Sequence, residues 1–450
     1  MTGIPLRAAT NQPRIIGEDS HPIRQNMLDA DAVFVMRKLN KAGFSSYLVG
    51  GGVRDLYLGK TPKDFDISTD ARPGQIRQLF PNSATIGRRF RLVQVFLKSG
   101  KVIEVSTLRT LSEHDLDGPQ AVLAPNNTYG QLPEDAQRRD LSINGLFYEL
   151  ENHTIIDYVG GVNDLDNSII RIIGEPEKRI NRDPVRMMRA IRHSSRTGFS
   201  IEPETWKAIC NNHEKVLYCP PSRIRDELFK DLYGGSAANW FDLAVQSELF
   251  FTLFPLYRTT LHTPPPSQPT CREQLHSALG IIDKFNHCSG GTKGQKLSQS
   301  FVLALLLLPW AELAFDLSRL NLKGAAVFQL SKKLRSDIDE LFAIPLNLRK
   351  SIRQEIVILL SNLPQFVRLV QNNSCPKWLK KKSYFSKCLL FHSFQQEVIC
   401  SGKQPENLEK LTLRAAPAAS PHSRRTKSSK RKTRPAFSPK KKGGVFGFRK

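Results

Sequence analysis

Hydrophobic positions change period along the chain, and the changes predict its elements. Between residues 27 and 42, Leu28, Ala32, Val35, Met36, Leu39 and Ala42 recur at helical spacing, with Gly43 where a helix would stop. Tyr47, Leu48 and Val49 make a short apolar run, followed by three glycines and a helical VRDLYL. Residues 65–68, 92–97 and 102–107 read as strands of one sheet. Residues 108–133 are polar and irregular. From residue 136 the pattern is mostly helical, with one hairpin expected around 152–159. Beyond a proline-rich linker, HTPPPSQPT at 262–270, residues 273–285, 301–315 and 348–370 predict helices. No internal repeat is present.

The fold class expected from this pattern is α+β. A small α/β head with a mixed sheet precedes an all-helical neck and body and a disordered basic tail. The expected boundaries are an irregular lead-in at 1–26, a head at 27–165, a helical neck at 166–258, a linker at 259–270, a helical body at 271–410 and the tail at 411–450.

Charge sharpens the picture. The 450 residues carry a formal net charge of +24, of which residues 414–450 contribute 13 Lys/Arg and no Asp/Glu, leaving +11 on the rest. Such a tail cannot bury enough apolar surface to offset its ordering entropy. An excess this large implies a polyanionic partner, most commonly nucleic acid. The 7 cysteines form no CxxC pair, which argues against a disulfide framework and a thiolate zinc site and fits a reducing, cytoplasmic compartment. No apolar leader is expected in the first 25 residues. The most apolar run, 301–310, is too short to span a bilayer. A secreted miniprotein, a membrane protein and a collagen-like chain are thereby excluded.

Five short segments carry chemistry. Asp64-Phe65-Asp66 on a strand would point both carboxylates one way, about 7 Å apart, and such a pair suits Mg²⁺ bound also to phosphates; an exposed turn with two solvated aspartates is the plainer alternative. Gly50-Gly51-Gly52-Val53-Arg54-Asp55 reads as a strand-to-helix turn where backbone can approach an anion and Arg54 can donate, or as an ordinary tight turn with Arg54 in an ion pair. It matches neither Walker A nor the Rossmann fingerprint. Glu104 interrupts an apolar strand and is costly to bury unpaired, unless the strand is an edge and the glutamate lies in water. Arg138-Arg139-Asp140 precedes an apolar stretch, where Asp140 can cap a helix or the arginines can hold a triphosphate. Arg182, Arg186, Arg189 and Arg196 follow helical spacing behind Asp183-Pro184, an N-cap and first-turn pair; a solvated face explains the spacing, but not a stripe lacking acidic partners at i±4.

Together the segments LVGGGVRDLYLGKTPKDFDIST, IGRRFRLVQV, EDAQRRDLSIN, DPVRMMRAIR and PPSRIRDELFKDL resemble the class II family of tRNA nucleotidyltransferases and bacterial poly(A) polymerases, and most closely its poly(A) branch. The resemblance covers about residues 20–255. It implies a nucleotidyltransferase head, a base-recognising neck and an RNA-binding body. It implies that Asp64 and Asp66 bind catalytic metals, and that Gly50, Gly51, Arg54 and Arg139 contact the triphosphate. Asp183 and Arg186 would read the incoming base, with Arg189 nearby. Glu104 and Asp140 are both candidates for a third catalytic carboxylate, so that a trio of acids would converge on the ions. The family usually has Glu-Asp where this chain has Arg182-Asp183.

The activity the resemblance implies is template-independent addition of AMP from ATP to RNA 3′ ends, with release of pyrophosphate, by two-metal phosphoryl transfer. Mg²⁺ is the expected ion, with Mn²⁺ as an alternative. ATP, RNA 3′ ends and RNA-decay proteins are the expected partners of a monomer that needs no membrane. The alternatives are a CCA-adding or A-adding tRNA nucleotidyltransferase and an inactive RNA-binding homologue. In the tail, Arg424, Arg425, Lys430, Arg431 and Lys432 would bind phosphates without reading sequence. Lys377-Trp378, Lys380–Lys382, Tyr384 and Phe385 could add charge and stacking for single strands.

Overall fold

A computed structural model describes residues 12–87, 91–110, 128–262, 270–288, 296–320, 322, 324–372 and 376–399. The linker core at 263–269 and the basic tail lie outside the described residues.

The strands of the main sheet are β1 (Arg14–Ile16), β2 (Ser46–Val49), β3 (Asp66–Thr69), β4 (Ser83–Ile86), β5 (Leu92–Phe96), β6 (Val102–Thr107), β7 (Leu146–Glu149) and β8 (Thr154–Asp157). They form one sheet in the order β1-β8-β7-β2-β3-β6-β5-β4, in which β3 and β6 run parallel and the other neighbours antiparallel. A mixed sheet was expected. β1 and β4 were not, and β1 corrects part of the irregular lead-in. Each is three or four residues at a sheet edge, too short to show a period of its own.

The helices that position the site are α1 (Ala30–Lys41), α2 (Gly51–Tyr57), α3 (Pro73–Leu79), α4 (Leu132–Arg138), α5 (Gly161–Asp166), α6 (Pro176–Arg182), α7 (Val185–Thr197), α8 (Pro203–Asn212) and α9 (Pro221–Leu232). Asp29 caps α1, accepting from the backbone N–H groups of Asp31 at 2.9 Å and Ala32 at 3.2 Å. Ala32, Val35, Met36 and Leu39 of α1 and Ile76 of α3 are buried, as are Ile67, Val93, Val95, Ile103 and Val105 on the sheet face these helices cover. The opposite face of β5 and β6 is left open. There Leu92, Gln94, Phe96, Val102, Glu104 and Ser106 are half-buried or exposed, alternating with the buried residues as the pleat requires.

In the body, helix Gln299–Phe315 is buried for most of its length among helices Cys271–Cys288, Lys350–Gln371 and Phe385–Ile399. Helix Ala325–Ile338 was not anticipated, because its buried stripe is only Leu330, Leu334 and Ile338. Among the described residues no helix is long and apolar enough to cross a membrane.

Pro309 interrupts the hydrogen-bond ladder of helix Gln299–Phe315. Beside it the buried Tyr257 hydroxyl donates to the Leu306 carbonyl and accepts from the Trp310 N–H at 3.3 Å, so it bridges an i, i+4 pair. Tyr257→Phe removes both of these bonds from an apolar interior and leaves the two backbone groups only each other as partners. The expected loss is about 2 kcal/mol of unfolding free energy, read by urea denaturation.

Candidate active site

The first turn of the site is set by Gly50. Its φ of +67° ends β2 in a conformation that side chains with a Cβ rarely adopt, and a Cβ there would stand 3.6 Å from Arg139 Nη1. β2 and β3 are antiparallel with Val49 opposite Asp66, so the glycine turn lies beside the start of β3. Gly51, Gly52, Arg54, Asp64 and Asp66 line a cleft of about 320 Å³, which His193 and Arg196 of α7 close from the neck side. A larger concavity of about 510 Å³, lined by Phe34, Arg37, Lys38 and Lys41 of α1, contains none of these residues.

Asp66 opens β3, while Asp64 and Phe65 precede the strand, which corrects the reading of all three as strand residues. β3 and β6 pair Ile67 with Val105 and Ser68 with Ser106, and the two serine hydroxyls lie 3.0 Å apart, so Asp66 and Glu104 share the open face. Glu104 is on an interior strand, not an edge, and accepts from Gln94 Nε2 at 3.0 Å. Crowding by protein, then the charges of Glu104 and Asp64, push the Asp66 carboxyl up to about 6, with Arg139 opposing. Among the described residues no three His, Cys, Asp or Glu side chains close into a metal-holding group, so Asp64, Asp66 and Glu104 are interacting neighbours rather than a converged trio. Their chemistry still fits a hard divalent cation: the donors are all carboxylate oxygens, and Asp66 carries more negative charge around it than Arg139 offsets.

Arg54 is held by protein on three sides. Its Nε and Nη2 donate to Asp55 Oδ1 at 2.9 and 2.7 Å, and its Nη1 donates to Asn144 Oδ1 at 2.7 Å and faces His193 Nδ1 at 3.3 Å. Burial, then the Arg54 charge, push the His193 imidazole down to about 3. Arg139 donates to Ser68 Oγ at 3.1 Å and to Asp135 Oδ2 at 3.0 Å, and lies over the Phe147 ring at 4.8 Å. Asp135 is fully buried and also accepts from Arg138 Nε at 2.7 Å and the Arg109 backbone N–H at 3.1 Å. Burial opposes its ionisation, but Arg139 and Arg138 outweigh that and hold its carboxyl low.

Asp140 does not cap a helix. It pairs with Arg189 of α7 at 2.7 Å, and although burial opposes it, Arg189 and then Arg186 hold the carboxyl well below the usual range. Of the two candidates for a third carboxylate, Glu104 therefore neighbours Asp66 and Asp140 faces the neck arginines. Arg186 donates to the carbonyls of Arg139 at 2.8 Å and Arg138 at 3.2 Å, and Arg179 to those of Gln137 at 3.0 Å and Arg139 at 2.7 Å. Asp183 makes no side-chain cap for α7; its Oδ2 pairs with Arg223 at 2.9 Å. Its Oδ1 and the Nε of Arg186 are buried without hydrogen-bond partners.

Arg186 and Arg189 of the arginine stripe are thus not a solvated face, and their partners come from other elements, whereas Arg196 is exposed. Sequence reasoning missed Asp135, Arg179, His193 and Arg223. Asp135 was legible, at i+3 and i+4 from Arg138 and Arg139. The others touch partners far away in sequence. Trp378 is exposed among exposed Lys377, Lys380, Lys381 and Lys382, whereas Phe385 lies against Phe366, 5.6 Å between ring centres. Arg424, Arg425, Lys430, Arg431 and Lys432 lie outside the described residues.

Two outcomes follow from these charges. Asp66 binds its proton more tightly folded than unfolded, so its contribution to stability falls as pH rises from about 4 through 6. In metal-free protein with EDTA, Asp66→Asn should melt higher than wild type at pH 8 and match it near pH 4, by calorimetry. Asp135→Ala strands two guanidinium groups and should cost about 3 kcal/mol in urea denaturation.

Comparison with known proteins agrees with this architecture. The family model described as Poly A polymerase head domain matches residues 46–171, and that described as Probable RNA and SrmB- binding site of polymerase A matches residues 198–260. Poly(A) polymerase I of Escherichia coli O6:H1 is 42% identical over 254 residues, 55% of this chain and 54% of that protein. The CCA-adding enzyme of Lactobacillus helveticus is 40% identical over 259 residues, 56% of this chain and 63% of that protein. The chain thus spans about half the length of the first curated relatives it matches. A crystal structure of the Bacillus stearothermophilus CCA-adding enzyme in complex with CTP superposes with a TM-score of 0.58 at 26% identity, over 85% of this chain and 81% of that one. Residues 46–171 thus match a poly(A) polymerase head domain, and over about half its length the chain is similar to bacterial poly(A) polymerases and CCA-adding enzymes.

Proposed function

We propose that the protein is a polynucleotide adenylyltransferase that adds AMP from ATP to RNA 3′ ends without a template and releases pyrophosphate. The observation that carries this reading is the placement of Asp66 level with Glu104 on one open sheet face, two residues from Asp64 and next to a glycine turn with Arg139 behind it. The similarity to Poly(A) polymerase I, at 42% identity, supports ATP as the nucleotide.

In this reading Asp64 and Asp66 hold Mg²⁺, or Mn²⁺ in its place. A divalent ion held there would supply Lewis acidity toward the RNA 3′ hydroxyl and charge compensation for the pyrophosphate. The protein's own groups do the rest. Gly50 and Gly51 let the backbone approach the triphosphate, and Arg139 and Arg54 face its charge. Glu104, next to Asp66, orients the attacking hydroxyl. Asp183 accepts from the exocyclic amine of adenine with its unpartnered Oδ1, and the Arg186 Nε is the spare donor beside it. Positioning and charge compensation then supply most of the acceleration, with no covalent enzyme intermediate. Asp140 serves in the proposal as the anchor of Arg189 rather than as a reacting acid. The RNA tailed would be marked for decay by partner proteins, and the basic tail would hold it through phosphates.

A second reading, a CCA-adding or A-adding tRNA nucleotidyltransferase, is favoured by the 40% identical CCA-adding relative. Amines on both adenine and cytosine suit the same acceptor at Asp183. Incubating the protein with Mg²⁺, a short RNA primer and each NTP singly separates the two. Long extension with ATP alone is expected. CTP use on tRNA lacking its end, stopping at a fixed length, would select the second reading. Asp64→Ala with Asp66→Ala should lower transfer at least 1000-fold, about 4 kcal/mol of barrier, while salt-sensitive RNA binding stays. Equal transfer by mutant and wild type would leave an RNA-binding homologue.

A further inference from the structure

The acid-bearing face of the sheet has two flanks. On the β2 side of Asp66 lies the Gly50 turn, because β2 ends opposite the start of β3. On the other side the face continues through Glu104 and Gln94, which lie opposite each other on β6 and β5. One pair further along, Phe96 of β5 faces Val102 of β6, at the same end of the sheet as Asp64. This pair is 38% and 45% exposed, while Val95 and Ile103 behind it are buried. An exposed Phe–Val pair beside Gln94 and Glu104 is not needed by the core. The tight turn that follows, closed by a Leu97 N–H to Lys101 carbonyl bond of 2.9 Å, presents exposed Lys98.

We propose that Phe96 and Val102 form the platform on which the 3′-terminal bases of the RNA acceptor stack. The inference rests on the adenylyl-transfer reading above and names the site of its second substrate. Two substrates must meet at Asp66, and the glycine turn takes one flank with the nucleotide triphosphate. The acceptor then enters over β6 and β5. Val102 stands two residues from Glu104, about 7 Å along the strand, which is two stacked-base steps of about 3.4 Å. An acceptor whose hydroxyl lies at Glu104 therefore sets its last or penultimate base against the Phe96 ring. An aromatic face accepts any base, as tailing of unrelated RNAs requires, and Lys98 lies where the phosphate behind that base passes. Gln94, already fixed on Glu104, has its amide carbonyl free to meet the ribose or base edge.

The test uses the full chain and an oligoadenylate ending in 8-azidoadenosine. Under ultraviolet light the label should map to residues 92–106 by peptide mass spectrometry and be lost from that peptide in Phe96→Ala. In steady-state assays, Phe96→Ala should raise the KM for RNA about tenfold, the scale of one lost base–aromatic stack, with the KM for ATP within twofold. Phe96→Trp should restore it. Matching melting curves separate the effect from misfolding. A label found only outside residues 92–106, or an unchanged KM for RNA in Phe96→Ala, overturns the platform. If the wild type transfers no AMP, the cross-link decides alone: labelling at 92–106 keeps the platform and discards the transfer reading, and labelling elsewhere discards both.

Discussion

The site depends on how the neck arginines meet the end of one short helix. Helix α4 ends at Arg138 with carbonyls that have no partner in the helix. Arg179 of α6 and Arg186 of α7 donate to the carbonyls of Gln137, Arg138 and Arg139, and Arg189 pairs with Asp140 just beyond. Cations at a helix C-terminus are favourable, and fixed guanidinium forks hold direction as well as charge. The same short segment sends Arg139 back to Ser68 beside Asp66. One run of residues, 135–140, therefore ties the acids of the head to Asp183 and Arg186 of the neck. A shift of α4 would move both halves of the site together.

Charge is distributed unevenly around that hinge point, and the imbalance has chemical content. On the head side, Asp66 has like-charged neighbours and a raised carboxyl. On the neck side, burial and the Arg186 and Arg182 charges push Arg179 down to about 9. Each half alone is electrostatically unfavourable. A ligand with a cation at one end and phosphates between would relieve both, which is what a metal-bound nucleotide offers in the proposed reaction. His193, neutral and half-buried against Arg54, lines the cleft without adding charge.

Much of this was legible in the chain, and the failures have one cause. Helix α1 and strand β6 were readable because an amphipathic period is a local property, visible in Val35-Met36-Leu39 and in Ile103-Val105-Thr107. The acidic residues were readable because carboxylates in apolar or glycine-rich surroundings stand out. Edge strand β1 was not, since Arg14–Ile16 becomes a strand only by pairing with residues 155–157. Nor was the spread of the three acids, because Asp64 lies before the strand that carries Asp66. Arg223 with Asp183, and Arg54 with Asn144, join residues 40 and 90 positions apart, which no local pattern encodes.

Arg182 is the sharpest departure from the resemblance, and its surroundings explain how the fold tolerates it. It sits at the last position of α6, where a cation opposes the helix dipole favourably. Its charge burdens Arg179, yet Arg179 is anchored on two carbonyls and keeps its geometry. A glutamate there would give the neck a second acceptor beside Asp183. Without it, the spare acceptor on that side is Asp183 Oδ1, held in place through Arg223 on its other oxygen. In the proposed reaction the discrimination among bases then falls on one oxygen and one guanidinium Nε, so the shape of the surrounding pocket must exclude guanine, which also carries an amine.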